Sequence, residues 1–113
     1  MVFTTLLFRE GLSKKERARA NGLVATGHRV TAGEQTSMVK RAGWELVVKS
    51  DVTAEYAETV QRDLRAYEVR SVWARKVLGE TEFENRMERK QRYLQGIEDG
   101  LLRRELFATQ TGD

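Results

Sequence analysis

His28 is the one histidine of this chain and the one side chain whose ordinary titration falls near neutral pH. In the loop Gly27-His28-Arg29 it could act as a general base or as a substrate contact. A general base needs a matched pKa and a second group that orients it, and the sequence shows neither. An ordinary loop histidine is the plainer reading. Tyr56, Tyr67 and Trp73 are the other candidates, because aromatic side chains could wall an apolar pocket. At helical spacing such residues more often fill a core. Asp51 reads as a helix cap, and Arg103 and Arg104 as solvated flanks of a strand. The chain has no cysteine, which removes thiolate nucleophiles and disulfides. With a single histidine besides, no metal site is expected, and no carboxylate pair or nucleophile–base arrangement is identifiable.

The elements that would position these residues are legible from pattern. Val2 to Phe8 is apolar and β-branched with little alternation, which predicts a strand covered on both faces and too apolar for a sheet edge. Ser13-Lys14-Lys15-Glu16 has the spacing of a capping box and opens a helix to about Ala25. Thr31-Ala32-Gly33-Glu34 repeats the signature for a helix ending at Ala42, with Gly43 suited to the left-handed position beyond it. Trp44, Leu46 and Val48 then fall on one face of a strand, with Glu45, Val47 and Lys49 on the other. Asp51 or Thr53 caps a long helix carrying Tyr56, Val60, Leu64 and Tyr67, and after a shift of face Val72, Trp73 and Val77, closed by Gly79. Thr81-Glu82-Phe83-Glu84 predicts a third capping box, and Gly100 releases the chain into a strand from Leu102 to about Thr109. The class is α/β, which in isolation reads as α+β: a three-stranded partial sheet with about four helices. The strand beginning at Trp44 and the closing strand suggest an antiparallel pair at the edge of a larger sheet.

At 113 residues the chain is one domain, 1–113, with room for a single modest core. Its 40% hydrophobic and 33% charged residues fit a folded soluble protein rather than a disordered one. No apolar run approaches a membrane span and no signal-peptide pattern opens the chain, so a cytoplasmic location is the simplest expectation. A net charge of +3 raises nucleic acid as a partner. Only Lys14, Lys15, Arg17 and Arg19 are densely basic, however, and elsewhere signs interleave as on a solvated helix face. Nucleic-acid binding therefore ranks last.

Four blocks in this order resemble the C-terminal part of class I S-adenosylmethionine-dependent methyltransferases of the bacterial small-molecule type. Val2-Phe3-Thr4-Thr5 followed by Gly11-Leu12-Ser13 is similar to their fifth strand and the loop after it. Arg41-Ala42-Gly43-Trp44 resembles their helix-to-strand junction, and Asp51-Val52-Thr53-Ala54-Glu55-Tyr56 their turn into a helical excursion, here 53–100. Ile97-Glu98-Asp99-Gly100-Leu101 through Phe107 resembles their closing strand. The resemblance implies the C-terminal half of a Rossmann-like methyltransferase. It also implies that His28 lies near the substrate mouth and that Tyr56, Tyr67 and Trp73 face a small-molecule methyl acceptor.

The family's cofactor half, a strand, a glycine-rich loop and a helix, has no counterpart here. No Gly-x-Gly follows a strand, and no cofactor-binding residue carries over. The expectation is a substrate-covering portion that binds no cofactor alone and transfers no methyl group alone. S-adenosylmethionine would enter with a companion cofactor-binding chain. The alternative is a non-enzymatic homodimeric interaction module that reuses the fold, with the Val2 to Phe8 strand pairing to its symmetry mate.

Overall fold

A computed structural model describes residues 1–24 and 29–111. The apolar run forms strand β1 (Val2–Phe8), followed by helices α1 (Lys14–Leu23) and α2 (Ala32–Arg41) and strand β2 (Trp44–Asp51). Helices α3 (Thr53–Val69), α4 (Ser71–Leu78) and α5 (Glu80–Glu98) precede strand β3 (Leu102–Thr111). The first two helix starts follow from their side chains. Ser13 Oγ accepts from Glu16 N while Glu16 Oε1 accepts from Ser13 N, closing the capping box. Thr31 Oγ1 accepts from Glu34 N at the head of α2. Gly43 follows that helix with φ +89°, a conformation that favours a residue without Cβ.

Three readings of local pattern are corrected. Thr81 caps nothing: α5 starts at Glu80 after Gly79, whose φ of +86° turns the chain sharply, and Thr81 lies inside the helix. The long helix predicted to Gly79 breaks at Arg70, whose φ and ψ of −110° and 29° end α3 and start α4. Asp51 does not cap from the cap position. Val52 holds that place without a side-chain bond, and Asp51 Oδ1 instead accepts from Thr53 N at 2.9 Å.

Among the described residues the sheet has three strands in the order β1-β3-β2, with β3 antiparallel to both neighbours. The antiparallel pair of β2 and β3 matches the sequence reading. β1 lies at one edge of these three strands. Its burial is split: Leu6, Leu7 and Phe8 are buried, while Val2 and Thr4 are exposed. Residues paired in register share a face. Leu6, Phe8, Leu102 and Arg104 therefore point to one side, where Leu6, Phe8 and Leu102 cluster with Ala20 and Leu101 beside Tyr56, Tyr93 and Ile97. Leu7 and Phe107 point to the other, where Ala32 of α2, Phe3, Val30 and Leu46 join them. A bulge between Leu46 and Val48 breaks the predicted alternation of β2. Trp44 and Leu46 stay half-buried, and Val48 moves to the opposite face and is exposed.

Close packing of α5 on the sheet depends on Gly96. A Cβ there would lie 2.4 Å from Leu102 Cδ1, and Leu102 is buried. Beyond this contact α5 runs out with α3 and α4 as a helical arm, in which Tyr67 meets Phe83 edge to face. The Cα radius of gyration is 16.2 Å, above the ~13 Å of a compact 100-residue domain. The arm and the thin sheet account for that excess.

Candidate functional site

The aromatic candidates separate into two places. Tyr56 sits in the first turn of α3 and packs against the cluster on the α1/α5 side of the sheet. The Arg104 guanidinium of β3 covers its ring, 4.5 Å from the centroid. Arg104 also donates from Nε and Nη2 to Thr4 Oγ1 of β1, at 3.1 and 2.9 Å. Burial pushes the Tyr56 phenol above its ordinary range; Arg104 and, more weakly, Arg29 pull the other way, and Tyr93 adds to the rise. A phenol held neutral under cationic side chains can donate a hydrogen bond to an anionic or carbonyl group. Sequence reasoning placed Arg104 in solvent and missed this role. The available signal was its phase: Arg104 lies between Leu102 and Leu106 on one face of the strand.

Tyr67 and Trp73 meet in the other place, a hollow of about 250 Å³ at the α3–α4 junction that also takes in Asp63, Arg70 and Ala74. Lys90 Nζ lies 3.2 Å from Asp63 Oδ2 and neutralises that wall. Trp73 is 62% exposed, and Val69, Val72 and Val77 around it are exposed as well. The second apolar stripe read from sequence thus faces outward. Tyr56 does not line it.

A third cluster lies on the α2 side of the sheet. Arg103 Nη2 meets Asp51 Oδ2 at 2.8 Å and approaches Glu105 Oε1 only to 3.8 Å. The bond from the Thr53 hydroxyl is the largest cause that holds the Asp51 carboxyl below its ordinary range; burial, second in size, pushes the other way, and the Thr53 backbone and Arg103 add to the lowering. Glu105 is buried, and its Oε2 has no hydrogen-bond partner among the described residues. His28 lies outside the described residues. Among those described, no three His, Cys, Asp or Glu side chains converge as metal ligands, and no helix is long and apolar enough to cross a membrane.

The whole architecture recurs in solved structures. All of this chain aligns with 42% of a candidate sarcosine dimethylglycine methyltransferase from Galdieria sulphuraria, with a TM-score of 0.79 at 14% identity. It aligns over 99% of its length with 26% of phosphoethanolamine N-methyltransferase 2 of Haemonchus contortus, with a TM-score of 0.75 at 13% identity. That structure holds phosphomonomethylethanolamine and S-adenosylhomocysteine. The fold is methyltransferase-like. At such identities the likeness is one of fold, and this chain spans less than half the length of either protein. No model of a known protein family matches the chain, and no curated protein is similar to it in sequence. Among the described residues, Tyr56 thus stacks under Arg104 while Tyr67 and Trp73 share the hollow at the α3–α4 junction.

Proposed function

We propose that this chain is the C-terminal, substrate-covering portion of an S-adenosylmethionine-dependent methyltransferase of the bacterial small-molecule type. The observation that carries the reading is the alignment of the entire chain with under half of a methyltransferase-like structure, at a TM-score of 0.79. In this reading the chain works in the cytoplasm and contributes acceptor-side residues: Tyr56 under Arg104, the Tyr67–Trp73 hollow, and His28 as a candidate base. The cofactor site, with its glycine loop, belongs to a companion chain that adds its strands along β1. Alone, the chain transfers no methyl group.

The test is a calorimetric titration of the purified chain with S-adenosylmethionine, followed by a methyl-transfer assay on small amines and carboxylates. The expected result is no saturable heat and no transfer by the chain alone, with transfer appearing when a polypeptide bearing the glycine loop is added. Methyl transfer by the pure chain would overturn the division of labour.

A further inference from the structure

Half-buried arginines in this chain are paired, with two exceptions. Arg17, Arg86, Arg92 and Arg103 meet the carboxylates of Glu34, Glu82, Glu88 and Asp51 in that order. Arg29 and Arg104 are half-buried too, and neither meets a carboxylate among the described residues. Charged side chains are seldom taken out of water without a counter-charge. The two lie on one side of the sheet. Arg104 shares its face with Leu6, Phe8 and Leu102. Phe8 bridges to Thr31, and Val30 packs into the cluster on the α2 side, so alternation along this extended segment turns Arg29 to the face of Phe8. The Tyr56 phenol accordingly feels the charges of both Arg104 and Arg29, and Tyr93 of the same cluster beside them. Arg29 Nε is buried and has no hydrogen-bond partner among the described residues. Arg104 engages Thr4 through Nε and Nη2, which leaves Nη1 for another acceptor.

We propose that Arg29, Arg104 and the hydroxyls of Tyr56 and Tyr93 form a subsite for an oxyanion, the carboxylate or phosphate carried by the methyl acceptor. An oxyanion accepts several hydrogen bonds, and planar guanidinium groups donate to carboxylate and phosphate in pairs. Tyr56, kept neutral by burial, adds a donor without adding charge. Half-desolvated cations with no carboxylate beside them attract an anion more strongly than the exposed, paired arginines of the helices do. The stack on Tyr56 gives Arg104 a structural role, but it leaves the buried Nε of Arg29 unexplained. That the anion belongs to the acceptor rests on the methyltransferase reading. The subsite itself does not, since all four side chains are on this chain.

The test is a titration of the native chain, without cofactor or companion, with inorganic phosphate and separately with acetate, at an ionic strength held constant by chloride. The readout is the arginine Nε–Hε resonances in nitrogen–proton correlation spectra. Those of Arg29 and Arg104 should shift together and saturate, while that of exposed Arg62 does not saturate. Saturation by phosphate alone assigns a phosphate-bearing acceptor, and by acetate alone a carboxylate-bearing one; saturation by both supports the chemistry the two anions share. Arg29→Met should raise the half-saturating concentration at least about tenfold. Arg29→Lys keeps the charge, loses the fork and should recover only part of that loss. Arg104→Met is the second variant; its folding is checked in the same spectra, because Arg104 also ties α3 to β1. No saturable shift at Arg29 and Arg104 with either anion overturns the proposal. So does saturation that survives Arg29→Met unchanged. Neither result bears on the division of labour between chains, which methyl transfer by the pure chain decides.

Discussion

Arg104 lies flat over Tyr56 and at the same time donates two hydrogen bonds to Thr4, so one side chain of the central strand ties α3 to the edge strand. Arg104→Met keeps the stem and removes the charge and the donors. Loss of a partly buried cation–π contact and of half-exposed hydrogen bonds should destabilise the chain by about 1–2 kcal/mol. Urea midpoints for Arg104→Met, Tyr56→Leu and the double variant check this. The coupling should be at least about 0.5 kcal/mol. Additive effects would mean that the stack contributes nothing.

Gly96 is where α5 touches the sheet, and the space for a methyl group is already filled by Leu102. Gly96→Ala gains up to about 1 kcal/mol of helix propensity. It must also displace a buried leucine, an overpacking penalty of about 1–3 kcal/mol. The net expectation is a lower urea midpoint. Adding Leu102→Ala should cost less in the Gly96→Ala background than in the native one, because the small residue opens the space the new methyl needs.

Much of this fold is written in local pattern. The capping boxes at Ser13 and the cap at Thr31, the left-handed Gly43 and the three strands come from neighbours within a few residues, and such signals survive folding. What pattern does not carry is pairing. That β3 inserts between β1 and β2, and so makes the apolar β1 an edge, depends on contacts a hundred residues apart. The bulge that turns Val48 outward is equally invisible, because alternation presumes an uninterrupted ladder. Of the candidate site residues, Tyr67 and Trp73 come together, and Tyr56 is drawn away by Arg104, a partner supplied by strand phase.

Asp51 provides a pH dependence with a defined sign. Its folded pKa is depressed, first by the Thr53 hydroxyl and later in order by Arg103. A depressed carboxyl contributes stability above its ordinary, unfolded value, and that contribution disappears as pH falls through the lower folded value. Asp51 is about half exposed, so its share is about 1 kcal/mol or less. Asp51→Asn should therefore be less stable than the native chain at pH 7. The gap should narrow as pH falls below the ordinary carboxylate range and close only below the still lower folded value, in urea titrations at pH 7 and in acid. A gap that persists at low pH would mean the effect is steric.

Glu105 is buried with one carboxylate oxygen unpartnered among the described residues and its nearest cation 3.8 Å away. Its desolvation is poorly compensated, so Glu105→Gln should be neutral or stabilise the isolated chain by about 1 kcal/mol. Thermal unfolding at pH 7 checks this. A marked loss of stability would show that the charge on Glu105 is better compensated than its distance from Arg103 indicates.

Trp73 separates a structural role from a ligand-facing one. It is 62% exposed on the hollow it shares with Tyr67, so Trp73→Ala should change the stability of the chain by no more than about 0.5 kcal/mol. If the hollow receives the methyl acceptor in the completed enzyme, the same substitution removes an apolar wall and should raise KM for the acceptor about tenfold. Because the wall would touch acceptor equally before and during transfer, kcat should change little. Tyr67→Phe should behave as the milder variant, since its ring remains packed edge to face on Phe83. An unchanged KM with both substitutions would assign the hollow to packing against a partner and leave the Tyr56–Arg104 stack as the acceptor-side contact.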